Sequence, residues 1–169
     1  MLLTGHKDLT IRIQDISPHL LVSSEAKPLQ GSFPRPLPSL TIDLFNVLSD
    51  PLVLERCSQG SLSEGSLARV YIAPESLECL AIFKTGDVFI YQLGPDARQL
   101  KPTDEDMVSL THIPIPPPAT YHPVLMISGS KGPISAFGAS DIGNSFFIFF
   151  GLQLTKIQVS LLLPTTTGR

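Results

Sequence analysis

The residues able to do chemistry are few and scattered. The 4 histidines, His6, His19, His112 and His122, stand at no spacing from one another or from a cysteine that would close a metal site. His6 ends a strand-like run, where an imidazole serves as a hydrogen-bonding group. Cys57 and Cys79 make neither a CxxC pair nor a disulfide framework and read as reduced cytosolic thiols. Asp8 and Asp15 suit the capture of turn amides or an outer-strand partner better than acid–base work. Asp104, Glu105 and Asp106 read as a solvated acidic loop. Gly129-Ser130-Lys131-Gly132 has the composition of a phosphate loop without its spacing, and reads as a turn before Pro133. Lys84 and Asp87 flank Gly86 and are expected at a rim, where partners are met. No GxSxG or GxGxxG run occurs. The expectation is a protein that is not an enzyme, with no catalytic, cofactor-binding or metal-ligating residues.

Composition adds exclusions. The chain carries 12 Lys and Arg against 15 Asp and Glu, for a net charge of -3, and its sequence holds no basic run. Phosphate backbones are bound by clustered cations, so no nucleic-acid partner is expected. A hydrophobic fraction of 43% suffices for a core, while 16 Pro and 12 Gly gather in particular segments and mark long loops. The start, MLLTGHKD, has no apolar h-region, so no secretory signal is expected.

The elements that would hold these residues centre on residues 67–93, LARVYIAPESLECLAIFKTGDVFIYQL. Residues 69–73, 79–83 and 88–93 read as three short strands. Pro74-Glu75-Ser76 turns between the first two, and Lys84-Thr85-Gly86-Asp87 has hairpin composition, with Gly86 free to take a positive φ. Near-continuous apolar runs imply strands covered on both faces, and Pro74, Gly86 and the β-branched and aromatic content weigh against a buried helix. Residues 1–6 and 10–16 flank the turn Lys7-Asp8-Leu9. Laying residues 2–16 on 79–93 places that turn on Lys84-Thr85-Gly86, so two hairpins of one design are expected.

Elsewhere the chain is read as follows. Residues 17–38 form an extended Pro-rich surface loop. Residues 39–48 are an outer strand or a short helix, and residues 52–57 a helical turn with Ser49 or Asp50 as cap and Pro51 at its first position. Residues 107–113 supply the fourth strand beside 88–93. Residues 113–123 are again Pro-rich, residues 124–128 are a short apolar run, and residues 133–139 open a further blade. Residues 146–163 lie near the lower length limit for a membrane span but carry Gln153, Thr155, Lys156 and Gln158. Two more strands of a third blade, rather than an integral membrane segment, are expected there.

The string LLTGHKDLTIRIQD resembles the second-to-third strand hairpin of a WD repeat, with Leu9 where the turn glycine and Gln14 where the tryptophan would stand. More specifically, the chain is similar to fungal members of the lethal giant larvae/tomosyn family. There a later propeller begins close to LLTGHEDGTVRFWDAS, followed by a long loop and a blade like ETLELAVGLKTGEVVLYRF; here that blade is SLECLAIFKTGDVFIYQL, and PISAFGASDIG opens the next. The resemblance covers residues 1–143. Residues 144–169 are a divergent apolar tail, where family members would continue like FLAVAYADGSL. What the resemblance implies is an all-β chain, an incomplete β-propeller of about three four-stranded antiparallel blades with long Pro-rich loops. It also implies a cytoplasmic scaffold, peripheral at the plasma membrane, that regulates polarised exocytosis. Such a scaffold binds t-SNARE proteins, supports vesicle docking and fusion, and contacts Rab GTPase and exocyst components. The alternatives are a generic all-β protein-interaction fragment, an all-β enzymatic fragment whose active groups lie on other blades, and a truncated gene product with no independent function. With blade faces uncovered at both ends, the isolated chain is expected to be marginally stable or to aggregate.

Overall fold

The computed structural model describes residues 1–16, 35–73, 77–94, 102, 105–129, 148–150 and 153–155. They are mostly β. The expected first hairpin is formed by β1 (Leu2–Gly5) and β2 (Thr10–Asp15), antiparallel, with Leu3 opposite Ile13. The expected central strands are β5 (Leu67–Ala73), β6 (Glu78–Phe83) and β7 (Val88–Leu93), a three-stranded meander.

The two hairpins share one design down to their hydrogen bonds. In the first turn the His6 amide donates to the Thr10 carbonyl (2.9 Å) and the Leu9 amide to the His6 carbonyl (3.2 Å). In the second the Phe83 amide donates to the Asp87 carbonyl (2.9 Å) and the Gly86 amide to the Phe83 carbonyl (3.0 Å). The register agrees as well: Leu2 faces Gln14 as Cys79 faces Tyr91, and Gly5 faces Ile11 as Ile82 faces Val88. Leu9 and Gly86, equivalent by this overlay, both have positive φ, 61° and 99°. Leucine resists that conformation for steric reasons. It is held there because its side chain is buried in the main core.

Between the hairpins the residues described from 35 onward form a series of short elements. Arg35–Pro36 forms β3, and Ile42–Asp43 forms β4; both pair with β2. A 3-10 turn covers Pro38–Leu40, so the last residues of the loop read over 17–38 form β3 and the start of that turn, and residues 17–34 lie outside the described ones. The choice left open for residues 39–48 resolves into that turn, β4 and a short helix, α1 (Leu44–Leu48), capped by Asp43, which accepts from the Phe45 amide. Helix α2 (Pro51–Arg56) follows as expected, with Pro51 in its first turn and Asp50, rather than Ser49, as the cap, accepting from the Leu52 and Val53 amides.

The fourth strand differs from expectation. β8 is only Met107–Ser109, and it does not pair with β7. The place beside β7 is taken by β9 (Tyr121–Ile127), giving the order β5-β6-β7-β9-β8 in a five-stranded antiparallel sheet. Pro123 makes residues 121–123 read as loop, but the register of β7 and β9 shifts between Ile90 and Tyr91, and β8 pairs only with residues 125–127. Proline is tolerated at such an irregularity, beyond the end of the next strand. In the tail, β10 (Ile148–Phe150) and β11 (Gln153–Thr155) pair antiparallel, which gives the two further strands expected there. Residues 133–139 lie outside the described ones. Among the described residues no helix is long and apolar enough to cross a membrane.

All six residues of β6 and all six of β7 are buried, which bears out the reading of strands covered on both faces. Their alternating side chains divide into two clusters. Cys79, Ala81, Phe83, Phe89, Tyr91 and Leu93 join Ile11 and Ile13 of β2 with α1 and α2 residues in one core between the sheets. Leu80, Ile82, Val88 and Ile90 form a second cluster on the opposite face with Val124, Leu125 and Ile127. Phe83 and Phe89 meet edge to face at 5.3 Å between centroids.

The two left-handed leucines make a paired test. Leu9→Gly relieves backbone strain but removes a buried side chain, and is expected to cost about 1–2 kcal/mol net. Leu77, with φ 55°, is 51% exposed. Leu77→Gly is therefore expected to stay within about 1 kcal/mol of the parent. Urea unfolding of both variants reads the difference directly.

Candidate functional site

Two places gather polar side chains. The first is the carboxylate of Asp87, which is fully buried at the β6–β7 turn. It accepts from the Ser58 amide (2.8 Å), the Ser61 hydroxyl (2.6 Å), the Thr85 hydroxyl (3.2 Å) and the Gly129 amide (2.5 Å). Ser61 and Thr85 also hydrogen-bond each other. The equivalent turn of the first hairpin makes the same contact with partners exchanged: there Asp8 accepts from the Thr10 hydroxyl (2.7 Å). Asp87 thus corrects the sequence reading, which set it on a rim. It faces inward, and its acceptor positions are committed to the chain's own donors.

The second place is a groove of about 320 Å³ between the ends of β1 and β5. His6, Lys7, Arg69 and Lys84 line it together with Leu67 and Val70, and no carboxylate does among the described residues. A Cβ added to Gly5 would lie 2.8 Å from Leu67 Cδ2 and 3.1 Å from Val70 Cγ1, so Gly5 is where β1 packs against the side chains of β5. Lys7 and Lys84 occupy equivalent positions of the two hairpin turns. The Gly65 amide donates to the Lys7 carbonyl (3.2 Å) and the Lys84 amide to the Ser66 carbonyl (2.9 Å), fixing both turns against the start of β5. The register of β5 on β6 slips between Leu67 and Arg69. That bulge breaks the strict alternation of the strand, so that four successive residues, 67–70, reach one groove.

The other candidates are dispersed. His112 lies 3.2 Å from Asp50 at the surface, His122 is on β9, and His19 lies outside the described residues. No three His, Cys, Asp or Glu among the described residues could share a metal ion. Asp8 is exposed; the Thr10 hydroxyl holds its carboxyl below its usual value, desolvation opposes this, and the Thr10 amide and the Arg12 charge add smaller lowering effects. Arg12 meets it at 3.0 Å. Asp15 ends β2, and of the acidic loop only Glu105 and Asp106 are described, with the Asp106 carbonyl accepting from Ser128. Of the phosphate-loop look-alike only Gly129 is described, and its amide is spent on Asp87.

Neither cysteine forms a disulfide, and both are buried. Burial pushes the Cys79 thiol from 9.0 up to about 12, and desolvation with the nearby Asp87 charge also raises Cys57. Sequence reasoning missed Lys7 and Arg69 as site residues. The Lys7–Lys84 equivalence was visible in the hairpin overlay; the bulge that delivers Arg69 was not.

No protein-family profile matches the chain, and neither curated proteins nor solved structures yield a match.

Two outcomes test this description. Asp87→Ala strands buried donors and is expected to cost about 3 kcal/mol, and Gly129→Ala, whose Cβ would fall 2.6 Å from the Thr85 carbonyl oxygen, about 2 kcal/mol by urea unfolding. Both thiols should resist alkylation at pH 8 in the folded chain and react on unfolding, Cys57 ahead of Cys79, as quenched time points with mass readout will show. Because the folded Cys79 value exceeds the unfolded one, this thiol leaves stability unchanged below pH 9.0 and lowers it as pH rises from there toward 12.

Proposed function

We propose that this chain is a non-enzymatic protein-interaction module, part of a blade-built scaffold like those of the lethal giant larvae/tomosyn family. In this reading it acts in polarised exocytosis, in the cytoplasm and at the inner face of the plasma membrane. It binds t-SNARE proteins and supports vesicle docking and fusion, with Rab GTPase and exocyst components as further contacts. The observation that carries the reading is the repeated hairpin. Two units with one register and one turn geometry lie in neighbouring antiparallel sheets that share a core. Repetition of a strand unit that buries its face against the next is the construction principle of propellers.

Two further observations support an interaction role. The buried Asp87 carboxylate is saturated by structural donors from its own chain. The open groove between the hairpins instead presents cations without a catalytic partner. In the propeller reading β5, β6, β7 and β9 are the four strands of one blade. β8 is then an added edge strand, β1 and β2 belong to the preceding blade, and β10 and β11 to the following one.

The test is direct binding. Purified chain passed over immobilised cytosolic domains of plasma-membrane t-SNAREs should be retained, with micromolar affinity by biolayer interferometry. A folded, monodisperse chain that shows no retention on any of them would overturn the family reading.

A further inference from the structure

We infer that the groove between β1 and β5 is a docking site for an extended acidic segment of a partner protein. The inference deepens the interaction reading above and rests on it. Four observations converge. First, charge: the chain as a whole is acidic at -3, yet three of its 12 basic residues, Lys7, Arg69 and Lys84, line one groove that, among the described residues, no carboxylate lines. Asp8 and Glu64 neighbour the groove in sequence, but neither lines it, and Asp8 is taken up by Arg12 and Thr10. Among the described residues none of the three cations is in an ion pair. Like charges gathered on one surface without internal partners raise the free energy of the isolated protein, and an anionic ligand relieves it.

Second, construction: the cations arrive from three separate elements. Lys7 and Lys84 come from equivalent turns of two hairpins, and Arg69 from a strand that a bulge redirects. Third, the walls: β1 and β5 are each the terminal strand of their sheets. Among the described residues each pairs on one side only, and residues of both strands line the groove, so an extended peptide seated there lies beside backbone suited to strand addition. Fourth, the lining is mixed. Leu67 and Val70 stand among the cations, which suits alternating apolar and acidic side chains. A bare phosphate would use the cations but leave Leu67 and Val70 without a partner, whereas a segment with both side-chain types engages the whole lining.

Fluorescence anisotropy with the full chain tests the site. The probe is a labelled peptide of alternating glutamate and valine, about eight residues long, in about 50 mM salt. Binding is expected in the tens of micromolar, weakening as salt rises. The combined change Lys7→Glu, Arg69→Glu and Lys84→Glu is expected to weaken it by about tenfold or more, whereas Arg56→Glu, outside the groove, leaves it unchanged. The milder set Lys7→Gln, Arg69→Gln and Lys84→Gln, checked for parental circular dichroism, keeps the test valid if charge reversal disturbs folding. Equal peptide affinity in the parent and the neutralised variant would overturn the proposal. So would an absence of peptide binding, including the case in which inorganic phosphate binds by calorimetry. The two readings separate cleanly. Retention on t-SNAREs without peptide binding removes the groove alone, and peptide binding without t-SNARE retention removes the family reading alone.

Discussion

The carboxylate of Asp87 is the constraint on which most of this structure depends. It sits at zero exposure and is reached by donors from three separate stretches of chain. Ser58 and Ser61 belong to the connection that leaves α2, Thr85 to the β6–β7 turn, and Gly129 to the exit from β9. A buried carboxylate is tolerable only when its acceptor positions are filled, and here two backbone amides and three hydroxyls fill them. The consequence is geometric. The link from the first sheet, the turn of the central hairpin and the end of the neighbouring strand are drawn to one point, and Gly129 has no room for a side chain there. Ser66, which donates to the Ser61 carbonyl at 2.8 Å, extends the same network to the start of β5.

Local signals carried much of the architecture. The three central strands, the first hairpin and the cap of α2 each announce themselves through a short-range rule: apolar runs bounded by turn residues, or Asp-Pro before a helical turn. The repeated hairpin was legible because turn and strand recur together, and the exchange of Asp8–Thr10 for Thr85–Asp87 left the pattern recognisable. What failed was long-range. Pro123 hides a strand whose tolerance for proline comes from a bulge opposite Tyr91, and nothing near residue 123 records which strand lies across from it. Asp87 has the same lesson in reverse. Its turn position was read correctly, but its burial depends on Ser58 and Gly129, which are remote in sequence. The cationic groove was half legible, in Lys7 and Lys84, and half not, because Arg69 enters only through the slip in β5 pairing.

The groove and the core are products of one arrangement. Gly5 brings the edge of the first sheet against Leu67 and Val70, and the same approach seats Ile11 and Ile13 on the Cys79–Phe83 face. Close packing on the apolar side thereby sets the spacing of the lysine-bearing turns on the polar side. A cavity-forming change in the shared core would loosen the site without touching any of its residues.

The strand order β7-β9-β8 also governs how the sheet can be assembled. β8 precedes β9 along the chain yet lies outermost, so the sheet cannot be zipped up strand by strand from the N-terminal side. β5, β6 and β7 close through short turns, and β8 and β9 can meet as a local pair. Pairing β9 with β7 closes the longest connection in this sheet, whether β8 has already joined β9 or adds afterwards. Until that step is complete, the free edge of β7 is an open template, and the Gly129 amide that completes the Asp87 network is not yet in place.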